Sequence, residues 1–333
     1  MKSRERVMCA LAGEQPDRVP FCEGSVAANV ARALAGSDHD LSEREISDLL
    51  GRDVVVAILF PPYFADQTVG SDGQAYVTTG WIKSRADLDR MVFPDPHSPA
   101  LYEDAQRVLD ERGDHAAAAA IKLGVAPALL SMGLDGFAYA LKDDPGLVRQ
   151  VLRRYVDWQV VVTEHLVDMG FDFLWSFDDV AYKSGPFCSP ETFRAFFMPA
   201  FRRSAEAITL PWIFHSDGNL MPVLDDLVTL GMDGLHPIEP GAMDLSTVKA
   251  RYGERLSIVG NVSVDTLSAA TPAAVRAEVQ DCIATAGPGG GYMISSSNSI
   301  PSYARPENVR AMADAIADYG AYPLDLGGDD DRA

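Results

Sequence analysis

Two side chains that bind metals or move protons, His215 and Asp217, flank Ser216 at the end of an apolar run, WIFHSD (212–217). On an extended chain residues i and i+2 point to the same side, so the imidazole and the carboxylate can share one ion or one substrate. A His/carboxylate set suits zinc, iron or manganese. Glu239, two residues past Pro237 in GLHPIEP (234–240), offers a third ligand. Two readings stand for this pair. It is either a divalent metal centre made by His215, Asp217 and Glu239, or a structural pair at a rim.

Asp178 and Asp179 follow a second apolar run, FDFLWSF (171–177). Adjacent residues of an extended chain face opposite ways, so one of the two faces a site. That one holds a substrate amine or acts as a general acid or base; the alternative is capping of the following loop. Further polar residues end other apolar runs: Cys22 and Glu23 in the first, Asn261 in LSIVGNV (256–262), and Ser295 to Asn298 in and after GYMISSS (291–297). Asp178, Asp179 and Asn261 are the candidate catalytic groups, and Glu23, Asn219, Ser295 and Asn298 the candidate substrate contacts. GPGGGY (287–292) is rich in glycine, but no GK[ST] follows and it precedes a strand, so it reads as a tight turn rather than a phosphate loop.

The elements that must position these groups are eight apolar runs alternating with helical patterns. They are RVPFCEG (18–24), DVVVAILF (53–60), AAAAIKLG (117–124), FDFLWSF, WIFHSD, GLHPIEP, LSIVGNV and GYMISSS. Near-continuous apolar strands belong to parallel sheets covered by helices. Eight of them favour a single closed (β/α)8 TIM barrel, whose chemistry sits at the carboxyl ends of the strands. Helix starts are signalled at Ser189-Pro190-Glu191, Thr271-Pro272 and Arg305-Pro306-Glu307. Residues 61–97 read as an insertion after the second strand. The barrel is expected over 1–325, with 326–333 a disordered acidic tail.

The 333 residues carry 28 Lys+Arg and 48 Asp+Glu, a net charge of −20. Such a balance repels nucleic-acid backbones and anionic membranes. No run reaches the roughly 18 apolar residues of a membrane helix. Four scattered cysteines, Cys9, Cys22, Cys188 and Cys282, form no CxxC pair, which fits a reducing cytoplasm. Oligomeric state is not written in the sequence.

The segments DDVAYKSGPFCSPETFRAFFMPAFRRSAEAI (178–208), WIFHSDGNL (212–220), MDGLHPIEPGAMD (232–244), LSIVGNVSVDTL (256–267) and GPGGGYMISSSNSIP (287–301) together resemble the uroporphyrinogen decarboxylase superfamily. The resemblance runs from RVPF to the PENV helix and implies the same (β/α)8 fold. The superfamily's decarboxylases carry an RQAGRY-type segment after strand one, where this chain has PFCEGSVAANVAR (20–32). Its methyltransferases hold zinc with HxC and a later cysteine; here Asp217 and Ser295 to Ser297 stand at those positions. The resemblance therefore implies metal-assisted methyl transfer between a corrinoid on a partner protein and a small acceptor, with zinc as the expected metal. Decarboxylation of uroporphyrinogen or a related pyrrole acid is the alternative, and a non-catalytic corrinoid-binding barrel a further one.

Overall fold

A computed structural model describes residues 1–70 and 75–325. The expected acidic tail, 326–333, lies outside the described residues. The strands are β1 (Val54–Ile58), β2 (Ala65–Val69), β3 (Ala75–Gly80), β4 (Ala116–Ile121), β5 (Phe173–Phe177), β6 (Ala181–Tyr182), β7 (Gly185–Pro186), β8 (Trp212–His215), β9 (Gly234–His236), β10 (Ser257–Val259) and β11 (Tyr292–Met293). Seven of them, β1, β4, β5, β8, β9, β10 and β11, fall within seven of the eight apolar runs or overlap them. The chain is thus α/β, with parallel pairing between its strands. By contact it divides into two compact units: Met1–Val56, Asp110–Ala118 and Asp233–Ala333 make the first, Ala57–Leu109 and Ala119–Met232 the second.

In the second unit β5 and β8 run parallel, in the register Leu174↔Trp212, Trp175↔Ile213, Ser176↔Phe214 and Phe177↔His215. Trp212 to His215 are all buried, as are Phe173 to Ser176, which is why these strands read as unbroken apolar runs. The helix Pro145–Met169 covers this unit. Asp144 starts it by accepting the Leu147 N–H at 3.1 Å, and Gly170, at φ +92°, ends it. Leu147, Val151, Tyr155, Val162 and Leu166 form its buried stripe. Residues 61–97 contain the antiparallel hairpin β2–β3. The Phe64 N–H donates to Ser131 Oγ at 3.0 Å, and the Tyr155 hydroxyl to the Pro62 carbonyl at 2.9 Å, so the inserted segment is anchored at its base.

In the first unit β9, β10 and β11 are parallel neighbours. The expected first strand is a correction: 18–24 forms no regular strand, only isolated bridges at Arg18 and Phe21. Two features interrupt the ladder. Pro20 has no N–H to give a ladder, and the Phe21 N–H goes to the Asp53 carboxylate at 2.9 Å rather than to a neighbouring backbone. Parallel-type bonds survive on both sides, from Cys22 N–H to Ile294 O and Ile294 N–H to Pro20 O at one flank, and Asp53 N–H to Phe21 O at the other. All three predicted proline helix starts are present, at Pro190, Pro272 and Pro306. No helix among the described residues is long and apolar enough to cross a membrane.

Asp53 is fully buried and holds three donors: Arg6 Nη1 at 2.6 Å, Arg18 Nη2 at 2.9 Å and the Phe21 N–H. Removing it leaves a buried guanidinium and a buried amide short of an acceptor. Asp53→Ala is expected to lower unfolding free energy by about 3–5 kcal/mol, read from the urea midpoint. A loss below 1 kcal/mol would show that the segment holds without it.

Candidate metal and substrate site

The register of β5 and β8 sets one residue beyond each strand side by side. The Asp178 N–H donates to the His215 carbonyl at 3.0 Å, continuing the pairing past the strand ends. Two residues on, the Asp217 N–H donates to Asp179 Oδ1 at 3.1 Å. His215 Nε2 faces both carboxylates, 3.5 Å from Asp179 Oδ1 and 3.7 Å from Asp217 Oδ1. Asp179, His215 and Asp217 therefore offer three ligand atoms within 4.8 Å of one another. His215 is buried and packs on the Phe177 ring at 4.6 Å between centroids, while the carboxylates are partly exposed.

The chain after His215 turns sharply to bring this about. Ser216 Oγ accepts the Val180 N–H at 3.1 Å and donates to the Asp217 carbonyl at 2.9 Å. Gly218 follows at φ +89°, and a Cβ there would stand 2.6 Å from the Ala181 carbonyl carbon. Only glycine fits both the backbone conformation and the close approach.

Asp178 and Asp179 point apart, as neighbours on an extended chain must. Asp178 is fully buried and accepts the N–H groups of Leu123, Val125 (3.0 Å) and Ala126 (2.9 Å), where the helix Val125–Met132 begins. Burial pushes its carboxyl up to about 6, against the charge of Lys122 and the bonds from these amides. Burial also works to raise Asp179, but the hydrogen bond to His215, its charge and that of Lys122 hold Asp179 well below the usual carboxylate range.

Lys122 is a residue that reading the sequence missed. Its ammonium donates to the Phe177 carbonyl at 2.6 Å, lies over the Phe60 ring at 4.7 Å and is hydrogen-bonded to Tyr63. The signal was there, a charged residue directly after an alanine-rich strand, AAAAIKLG. The charge of this buried ammonium is felt by both Asp178 and Asp179.

Of the other candidate residues, Asn219 stays in the second unit, its Oδ1 accepting the Met221 N–H at 3.1 Å. The remainder lie in the first unit. Glu239 is partly buried, and its carbonyl closes a turn by accepting the N–H groups of Ala242 and Met243. The grouped ligand set contains Asp179 where Glu239 was expected. Asn261 lies two residues past the end of β10, buried, with Oδ1 lacking a hydrogen-bond partner among the described residues. Ser295 Oγ donates to the Ser296 carbonyl at 2.7 Å and lies 3.1 Å from Nε2 of His236, a buried imidazole that was also missed. Asn298 Oδ1 accepts from Ser299 Oγ at 3.1 Å. Glu23 is fully buried; Oε2 accepts the Ser296 N–H at 2.8 Å and Oε1 the Gly24 N–H at 3.1 Å.

Burial raises Glu23 to about 7, against the pull of the Ser296 N–H and the charge of Arg52. The folded chain therefore holds this proton more tightly than the unfolded one. The stabilisation is fully present below the unfolded pKa of 4.5 and is lost as pH rises through about 7. A 2.5-unit difference corresponds to about 3 kcal/mol. Chemical unfolding of Glu23→Gln at a series of pH values is expected to lack that decline; a slope equal to wild type would mean that Glu23 titrates normally.

Residues 65–319 match the family profile described as uroporphyrinogen decarboxylase (URO-D). By sequence the chain is similar to a uroporphyrinogen decarboxylase of Pseudoalteromonas atlantica, 25% identical over 188 residues, which is 54% of this chain and 50% of that protein. It is also similar to a methylated-thiol–coenzyme M methyltransferase of Methanosarcina mazei, 28% identical over 186 residues, 54% of this chain and 47% of that one. The chain thus spans about half the length of these two relatives. In structure it is similar to a methyltransferase from Methanosarcina mazei, with a TM-score of 0.76 and 21% identity over 96% of this chain and 99% of the other, a likeness of fold. With about three quarters of its length matching that one profile, the chain belongs to the uroporphyrinogen decarboxylase family.

Proposed function

We propose that the chain is a metal-assisted methyltransferase that moves a methyl group between a corrinoid, carried by a partner protein, and a small acceptor, on a (β/α)8 scaffold. The observation that carries this reading is the gathering of Asp179, His215 and Asp217 at the ends of two parallel strands. One imidazole and two carboxylates are donors that zinc accepts, and three protein ligands leave room for a substrate atom. The residues therefore fit the ion the family resemblance implies. The likeness to Methanosarcina mazei methyltransferase, by sequence and by fold, supports the same branch.

When bound there, a divalent cation supplies Lewis acidity that polarises the acceptor or leaving atom. The chain's own residues do the rest. His215 presents Nε2 to both carboxylates, and the Asp217 N–H steadies the Asp179 oxygen nearest that ring. The hydrogen bond from His215 and, after it, the charge of Lys122 keep Asp179 ionised. Asp178, spent on three backbone amides, positions Asp179 rather than handling protons. Asn261 is a further proposed catalytic group, and Glu23, Asn219, Ser295 and Asn298 are the proposed substrate contacts. A site without thiolates is harder than an HxC site, which favours a non-thiol acceptor such as a reduced folate.

A second reading, decarboxylation of uroporphyrinogen or a related pyrrole acid, has support from the sequence relatives that bear that name. One set of measurements separates the two. Protein purified without chelators is expected to carry about one equivalent of divalent metal at this site. His215→Ala should lose it and slow methyl transfer from methylcobalamin by about 100-fold or more. Metal-free protein, with uroporphyrinogen converted to coproporphyrinogen at the same rate by wild type and His215→Ala, would favour decarboxylation and end the metal proposal.

A further inference from the structure

Away from this site, the second unit holds a pair of histidines brought together from distant parts of the chain. His97 Nδ1 and His165 Nε2 lie 3.1 Å apart, with ring centroids 5.4 Å apart and planes at 81°. His165 belongs to the helix Pro145–Met169, and Met169 lies one turn further along the same face. His97 belongs to the PDPHSP segment at the end of the insertion. Beside the pair is a cavity of about 330 Å³ lined by Pro99, Tyr102, Glu103, Gln106, His165 and Met169.

The surroundings hold the backbone of His97 and the ring of Tyr102 in place before any ligand arrives. Asp95 Oδ1 accepts the His97 N–H at 3.0 Å, and the Ser98 N–H closes the same turn onto the Asp95 carbonyl. Tyr102 donates to the Pro96 carbonyl at 2.5 Å and sets its ring 5.2 Å from that of His165. Trp158 Nε1, on the long helix, donates to the Pro94 carbonyl at 2.8 Å. The segment is therefore strapped to the helix on the N-terminal side of His97, and Tyr102 braces it on the other.

We infer that His97 and His165 form a second metal site, for a late first-row divalent cation such as Zn²⁺, Ni²⁺ or Cu²⁺. Imidazole nitrogens bind such ions at about 2.0–2.1 Å. An ion at that distance from two nitrogens 3.1 Å apart subtends an angle of about 95–100°, between the square-planar and tetrahedral values these ions adopt. As neutral rings, one of the two facing nitrogens carries the proton of the bond between them; moving that proton to the other nitrogen of its own ring, a change of tautomer, leaves both facing lone pairs free for an ion. Water supplies the remaining ligands of such an ion. The site lies outside the Asp179, His215 and Asp217 group and shares no residue with it, so it does not rest on the proposed methyl transfer.

The test is run in a His215→Ala/Asp217→Ala background, which removes the other ligand group. Calorimetric titration with Zn²⁺ is expected to show one equivalent bound, with His97→Ala and His165→Ala each weakening it at least tenfold. Both histidines are surface-accessible, and circular dichroism checks that each variant folds. Cu²⁺ added to the same background should show, by electron paramagnetic resonance, coupling to two imidazole nitrogens, reduced to one in either variant. Titrations unchanged by His97→Ala and by His165→Ala, or a copper signal with no imidazole coupling, would overturn the inference. Loss of one equivalent on His97→Ala together with no loss on His215→Ala would uphold this site while sinking the other.

Discussion

The register between β5 and β8 is the constraint on which the candidate site depends. Because Phe177 pairs with His215, the residues that follow each strand advance in step, and Asp179 comes level with Asp217. A shift of one residue would turn every side chain of one strand to its opposite face and part the imidazole from the carboxylates. The register is itself enforced by burial. Trp175 and Phe173 on one strand, and Trp212 and Phe214 on the other, are fully or almost fully enclosed, and Trp212 Nε1 finds its acceptor in Ser176 Oγ at 2.9 Å. Large side chains that fit in only one alignment thus decide where three small polar groups meet.

Those polar groups are held in a balance of charge that the whole chain's composition does not reveal. The net charge of −20 describes an acidic surface, yet the site's own neighbourhood contains a buried ammonium. Lys122 is placed by one carbonyl, one phenol and one aromatic face, none of which carries a formal negative charge. Its field is directed at Asp178 and Asp179, and the two aspartates respond in opposite senses because their other partners differ. Asp178 has the charge of Lys122 and neutral amides to oppose burial, whereas Asp179 also has His215.

What the sequence made legible follows from which forces are local. Seven strands could be read from unbroken apolar runs, and three helix starts from Ser, Thr or Arg followed by proline, since both signals reside in adjacent residues. The 18–24 segment misled because its apolar content looks strand-like while a side chain 32 residues away takes its amide. The pairing of His215 with Asp217 was readable from spacing. That Asp179, rather than Asp178, stands beside them was not, because the choice is made by helix amides at 123–126, distant in sequence. His236 and Lys122 were both inside quoted strand segments and passed unnoticed, one beside a proline and the other between Ile121 and Leu123, where neither has a polar sequence partner to draw attention to it.

The attachment of Asp178 has a further consequence, which concerns preorganisation. Three amide donors and the enclosing walls leave that carboxylate, and the backbone that carries it, with a single conformation. The next residue, Asp179, inherits a fixed Cα and a fixed chain direction, so only its two side-chain torsions remain to be ordered when it grips a ligand. The entropy of immobilising this stretch of backbone has thus been met during folding, by the neighbouring carboxylate.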